Sequence, residues 1–399
     1  MNIGVSTSSK GYEVILAQDN SENIEVIFTG DFCPGKRTEN LCKNKKYDSI
    51  FNNTLPILRD KDFGIVNLEC PITEAWNPIV KVGPHLQSKP IVIDALRYAG
   101  FNIALLANNH ILDHGVVGLQ DTLENCRSFG IKTVGAGLNR AEAEQPLIVS
   151  KGNISLGFIN CTENEFSVSK GNRAGAFGLD PISIYYKVNE LKNKVDYIIL
   201  IIHGGNEHYP LPNPQMVKLY HFFADIGVTA IIGHHAHCTS GFEVYKGVPI
   251  FYSLGNFLFD VEEKQDELWY LGYIVKLSIS KKSITKISIY PFEQFRSGDG
   301  VLLLEGNEYK KFINNINELS RIICNMNLLN EHWDKFCRDK EKYYMSTLFN
   351  LGRLKRALVR RGIGVNYFVS KKAILELLDK VQCEAHREAL IRILESNIN

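Results

Sequence analysis

The 399 residues contain no uninterrupted apolar run of about eighteen, the length a membrane-crossing helix needs. The opening stretch, MNIGVSTSSKGYEVILAQDNSENIEV, lacks the apolar core that marks an export signal. Nine cysteines form no CxxC pair, and their odd number argues against a closed set of disulfides. Charge of one sign is missing too: 45 Lys+Arg against 44 Asp+Glu leave a net charge of +1, so no overall field draws in nucleic acid. There is no GxxxxGK loop followed by Ser or Thr, which removes the usual support for nucleotide-driven chemistry. These absences predict a soluble, cytoplasmic protein in a reducing compartment, without a transmembrane segment and without a nucleic-acid partner. Peripheral attachment to a membrane stays open.

What is present is an ordinary globular composition, 45% hydrophobic and 22% charged, in a chain long enough for at least one large core. Up to about residue 295, short apolar strands alternate with helical patterns, the rhythm of an α/β layered domain. Candidate strands are EVIFTG (25–30), FGIVNLE (63–69), FNIALLA (101–107), DYIILIIHG (196–204) and VTAIIG (228–233). Between them SKPIVIDALRYAG and GLQDTLENCRSFG carry apolar residues at helical spacing and stop on Gly100 and Gly130. From GFEVYKGVPIFYSLGNFLFD onward the pattern becomes hairpins, with turns at Lys246–Gly247 and at SKKS (280–283). After SGDG (297–300) it becomes helical, so the expected division is one domain over 1–300 and a helical C-terminal domain over 301–399.

Each of the five strands ends in groups able to hold a metal or move a proton. Asp31 closes the first, Asn67 and Glu69 the second, and Asn108, Asn109 and His110 the third, with Asp113 just beyond. His203 closes the fourth, and His234, His235 and His237 follow the fifth. Singly, such residues are more often turn formers or hydrogen-bonded core groups. Five coincidences at five strand ends are harder to dismiss, because ligands of α/β sheets collect outside the carboxyl ends of strands and burying so many polar groups without one is costly. Carboxylates, imidazoles and amide oxygens together suit divalent transition metals, Mn, Zn or Fe, and a carboxylate can bridge two of them. Two such ions can generate hydroxide at neutral pH and clamp the oxygens of an in-line displacement.

Taken in order, TGDFCPG, NLECPIT, LLANNHILDHG, IIHGGNEH, GHHAH and YSLGNFLFD resemble the motifs of the CapA family of bacterial capsule and poly-γ-glutamate synthesis proteins, over about residues 22–295. That family is similar in fold to the calcineurin-like metallophosphoesterases, which implies a β-sandwich flanked by helices with a binuclear metal centre on its loops. Carried over by position, the resemblance makes Asn109, His203 and His235 ligands of one ion and Asp31 and His237 ligands of the other, with Glu69 as the bridge. His110 becomes the general acid that protonates the leaving group, oriented by Asp113. Glu69 stands where the phosphoesterases place the shorter aspartate, and His234 competes with His235 for the ligand position. Cys33 stands where they have a histidine and where the CapA family commonly has methionine, so it is either an extra ligand or a small hydrophobe.

Asn67, Asn108, Glu207, His234 and Asn256 are candidates for substrate contact or for support of the ligands. RLKRALVRR (353–361) is the one basic cluster, read as a solvated helix face or a surface for an anionic polymer or membrane. The resulting expectation is a metal-dependent hydrolase of capsule or poly-γ-glutamate synthesis, with bound hydroxide as nucleophile, acting on a phosphoester or an anionic polymer. The capsule synthesis proteins are its expected partners. The alternative is a non-catalytic polymer-binding or assembly factor that retains a vestigial site.

Overall fold

The computed structural model describes residues 4–7, 11–19, 21–364 and 367–397. Its first unit is built around the strand Ile24–Cys33, whose residues are buried throughout except Glu25. Side chains alternate across a strand, and here the alternation separates two cores: Val26, Phe28, Ile65, Ile103 and Leu105 face one, Ile27, Val66 and Ala104 the other. Both faces being covered, the sequence reads as continuous apolar runs and not as a polar–apolar alternation.

Ile24–Cys33 lies in a ten-stranded sheet, between Phe63–Leu68 on one side and Leu271–Ile279 with Asn256–Phe259 on the other. Phe63–Leu68, Ile103–Leu105 and Lys132–Val134 continue it in parallel, whereas the long hairpin Leu271–Ile279/Ile284–Gln294 turns through the expected Ser280–Ser283 and runs antiparallel. A second, six-stranded sheet has Ile154–Thr162, Tyr197–His203, Ala230–His234 and Val248–Phe251 as parallel neighbours. Phe28 of the first sheet meets Phe158 of the second at 6.5 Å between ring centroids, in the core that the two sheets share. Helices Val92–Tyr98 and Gly115–Ser128 cover the outer face of the first sheet through Val92, Ile93, Leu96 and Leu119. The expected α/β sandwich with flanking helices is therefore present, as two sheets and not the single open sheet that five parallel strands alone suggest.

Local signals behave as their chemistry requires. Lys246 and Gly247 both take positive φ, 48° and 88°, the turn that matches strand twist in a two-residue hairpin. Asn213 caps the helix Pro214–Asp225, its Oδ1 accepting from Met216 N at 2.8 Å with Pro at the first position.

The compact first unit runs to Leu329, beyond the division expected near residue 300. Helix Gly306–Ile323 carries an apolar stripe, and Phe312, Ile313, Ile316, Leu319, Ile322 and Ile323 are buried in the core of the first unit. Its Ser320 Oγ accepts from Phe242 N at 2.9 Å. The second unit, Asn330–Asn399, contains helices Arg353–Arg360, Lys371–Gln382 and Glu384–Ser396 and a small core of Leu351, Val359 and Val369. Among the described residues no helix is long and apolar enough to cross a membrane.

Candidate metal centre

The parallel strands of both sheets bring their carboxyl ends to one place. Asp31 pairs in register with Asn67 on one neighbour and with Asn256 on the other, and His203 pairs with His234 across the second sheet. The register between Ile24–Cys33 and Phe63–Leu68 shifts between Phe28 and Asp31, and such irregularities re-aim side chains beside functional sites. Gly30 sits in this shift because the chain Leu254–Asn256 crosses it closely: a Cβ on Gly30 would lie 1.9 Å from Gly255 O. Asp31 N donates to that same carbonyl at 3.1 Å. Beyond the strand Ala230–His234 the chain turns through two non-glycine residues with positive φ, His235 at 90° and His237 at 53°. Such conformations carry a cost and persist where surrounding structure holds them, commonly at functional sites.

Glu69 lies at the centre. It is fully buried and neither carboxylate oxygen has a hydrogen-bond partner, while its Oε1 is 3.4 Å from His203 Nε2 and 3.6 Å from His237 Nε2. Two groups have donor atoms converging within 4.8 Å, Glu69 with His235 and His237, and Asp31 with Glu69 and His203. Both contain Glu69. His203 Nε2 also lies 3.1 Å from Asn109 Oδ1 and 3.1 Å from His235 Nδ1. His237 Nδ1 is 2.9 Å from Asn256 Oδ1 and 3.5 Å from Asp31 Oδ2.

Burial and mutual charge set the electrostatics of these groups. Burial, then the neighbouring Asp31, pushes Glu69 well above the usual carboxylate range. Burial also acts on Asp31, but contacts from His234 and His237 outweigh it and hold Asp31 well below that range. Burial pushes His203 well below the usual imidazole range, with the charge of His235 adding to it, and pushes His235 down to about 4. Neutral imidazoles are the form that ligates metal, and a divalent ion is what makes an ionised, otherwise unpartnered carboxylate stable in such a site. Asp31, Glu69, Asn109, His203, His235 and His237 therefore fit a divalent-metal centre by donor type.

The remaining candidates take different places. His234 is buried with its Nδ1 3.2 Å from Asp31 Oδ1, and it belongs to neither converging group. Asn67 Nδ2 donates to Asp31 Oδ1 at 2.7 Å and lies 3.1 Å from His203 Nδ1, so it ties a carboxylate to an imidazole. Asn108 is a brace, donating to Leu68 O at 2.8 Å and accepting from His110 N at 3.1 Å. Asn256, besides meeting His237, donates to Trp269 O at 3.2 Å. Glu207 is exposed; after burial and Asp31 its charge helps to raise Glu69, and against the lowering by burial it adds to Asp31 and Asn256 in raising His237. Cys33 belongs to neither converging group; its thiol contacts Cys70, and that contact followed by burial pushes it well above the usual thiol range.

His110 Nδ1 is 2.7 Å from Asp113 Oδ2, which also accepts from Leu86 N at 2.7 Å. Burial lowers His110 against the opposing pull of Asp113. One participant escaped the sequence reading. Lys81 Nζ pairs with Asp113 Oδ1 and lies 3.1 Å from His110 Nδ1, although Val80 and Val82 on either side of it are 79% and 84% exposed. The only signal was a lone cation between two valines in a Pro/Gly-bounded loop, which on its own reads as surface. His114 fixes the same loop, its Nδ1 accepting from Asn77 N at 3.2 Å beside the Trp76 ring.

The chain is 34% identical over 242 residues to the PGA biosynthesis protein CapA of Bacillus subtilis, covering 59% of this chain and 63% of that one. It is 27% identical over 249 residues to the capsule biosynthesis protein CapA of Bacillus anthracis, covering 60% and 61%. The matches thus span somewhat under two thirds of those relatives. Among solved structures, similarity extends to a novel phosphatase from Mycoplasma pneumoniae, at 16% identity and TM-score 0.44 over 74% of this chain and all of that one. A 5'-nucleotidase from Candida albicans gives 11% identity and TM-score 0.41 over 82% and 60%. The family model of the bacterial capsule synthesis protein PGA_cap matches residues 25–261, more than half of the chain and every strand end that carries a candidate ligand, and the chain belongs to that family.

Proposed function

We propose that the chain is a metal-dependent hydrolase acting in bacterial capsule or poly-γ-glutamate synthesis, alongside the capsule synthesis proteins of its host. The observation that carries this reading is Glu69, a fully buried carboxylate without a hydrogen-bond partner, set between His203 and His237. Asp31, Asn109, His203, His235 and His237 would hold two divalent ions, Mn, Zn or Fe, with Glu69 shared between them. Bound ions of this kind polarise the scissile group and supply an ionised water as nucleophile.

The chain's own contribution is orientation and proton delivery. Asp113, itself held by Lys81 and Leu86 N, fixes the Nδ1 side of His110 and leaves Nε2 to meet the leaving group. Hydrolysis then balances: the oxygen of water bonds to phosphorus or to an acyl carbon, the bond to the leaving group breaks, and the leaving atom takes the proton from Nε2. The substrate is a phosphoester or an anionic γ-glutamyl polymer. A cytoplasmic site of action fits the nine cysteines, all free.

One observation favours the alternative of a polymer-binding assembly factor. The Cys33 thiol meets Cys70 and belongs to neither converging donor group, so the position would add no ligand to a bound ion. Metal analysis after supplementation, joined to a panel of phosphoester and γ-glutamyl substrates, separates the two. The hydrolase reading expects up to two ions per chain, turnover of at least one substrate class, and loss of both in Glu69→Gln. Bound metal with no turnover of any substrate selects the assembly factor.

A further inference from the structure

Between Glu341 and Glu376 the sequence contains no Asp or Glu, although the whole chain balances 45 basic residues against 44 acidic ones. Within that stretch Arg353, Lys355, Arg356, Arg360 and Arg361 crowd the helix Arg353–Arg360 and its C-terminal neighbour. Four of them are exposed and Arg356 is half-buried. Among the described residues none of the five is held in an ion pair, the pair Lys372–Glu376 at 3.8 Å lying further along the chain, and the buried Nε of Arg356 has no hydrogen-bond partner.

The same helix is amphipathic in an unusual sense. Val359 points inward and packs with Leu351 and Val369, yet Leu354 is 84% exposed and Leu358, one turn on, is 37% exposed. Tyr367 adds an aromatic ring that is 83% exposed. A soluble helix that needed only a hydrated basic face would have no use for bare leucines there, and a hydrated polyanion gains nothing from touching them. A bilayer surface uses both kinds of group, cations at the anionic headgroups and leucine or tyrosine at the acyl boundary.

We propose that helix Arg353–Arg360, with Arg361 and Tyr367, is a docking surface for an anionic lipid membrane. Charge complementarity supplies long-range attraction, and the leucines supply the part of binding that salt does not screen. The surface belongs to the second unit, so this inference stands independently of the metal centre.

Co-sedimentation of the full chain with vesicles tests it. Vesicles of phosphatidylcholine with about one third phosphatidylglycerol are expected to bind the chain, and pure phosphatidylcholine vesicles to leave it in solution. Combining Arg353→Gln, Arg360→Gln and Arg361→Gln should weaken binding about fivefold per charge removed. Leu354→Ser with Leu358→Ser, which keeps every charge, should weaken it several-fold too. Circular dichroism checks that the variants remain helical, and if one does not, loss of binding by the parent as salt rises serves in place of the charge variant. Failure to bind the anionic vesicles, or unchanged binding by the folded charge variant, overturns the proposal. So does a leucine variant that binds like the parent while soluble poly-γ-glutamate strips the parent from vesicles, since the surface would then be a polyanion site.

Discussion

A histidine whose Nδ1 is tied to a carboxylate has one ring nitrogen left with which to work. In His110 that carboxylate is Asp113 at 2.7 Å, and the residue lies beside the candidate ligand Asn109 without belonging to either converging donor group. His110→Ala is therefore expected to lower turnover by about 10²–10⁴ while metal content stays that of the parent. Initial rates paired with elemental analysis check this, and a parallel fall in metal would make His110 a ligand. Lys61 offers a test of a different kind, away from the site. Its ammonium reaches Leu58 O and sits 5.8 Å from the Phe101 ring centre, and burial pushes it down to about 8 from 10.5. Because the folded value is the lower one, the unfolded chain binds more protons between these values and Lys61 makes stability rise with pH across that window. Below about 8 the cost is constant. Denaturant melts of Lys61→Met should show its stability relative to the parent decreasing from pH 8 to pH 10.5; a difference independent of pH would contradict the burial of the charge.

At the scale of elements, the strand Ile24–Cys33 does two jobs, filling both cores and presenting Asp31 after an irregularity in register. The irregularity depends on Gly30, where an added Cβ would meet backbone, Gly255 O, and not a movable side chain. Gly30→Ala should cost about 1–3 kcal/mol or more, as overpacking does, and should also displace Asp31. Thermal melts together with metal affinity check both effects, and a variant with parental melting and parental metal content would show that the crossing chain yields. The strands themselves were legible in the sequence, because segments buried on both faces must be apolar along their length. The strand Ile154–Thr162 was not: ISLGFINCT mixes small and polar residues into its apolar positions, and the buried Asn160 is satisfied there by Oδ1 accepting from Ala107 N at 2.8 Å and Nδ2 donating to Ile201 O at 3.4 Å. Lys81 was illegible for a related reason, since a loop residue acquires a partner only when the loop folds back onto Asp113 and His114.

For the whole molecule, the division at Leu329 makes a prediction that a division at 300 would reverse. Helix Gly306–Ile323 buries six large apolar side chains in the first unit, each worth about 1.5–3 kcal/mol of burial, against a net stability of about 5–15 kcal/mol for a typical protein. A chain ending after Leu329 should be soluble, melt cooperatively and retain its metal, whereas one ending at residue 300 should aggregate. Solubility, calorimetry and metal content of the two fragments check this, and a soluble, cooperative 1–300 fragment would show that the helix is dispensable. The sequence by itself marked the candidate ligands, because metal ligands must be particular side chains and strand ends must follow apolar runs. It also determined the α/β class and the capsule-family membership of residues 25–261. Only the tertiary structure decided which strands pair in which sheet, that Glu69 is the carboxylate left without a partner, that His235 and not His234 joins the converging imidazoles, and that the first unit ends at Leu329. Each of these turns on which groups meet across distant parts of the chain, and the local pattern of a sequence specifies how a segment is buried long before it specifies against what.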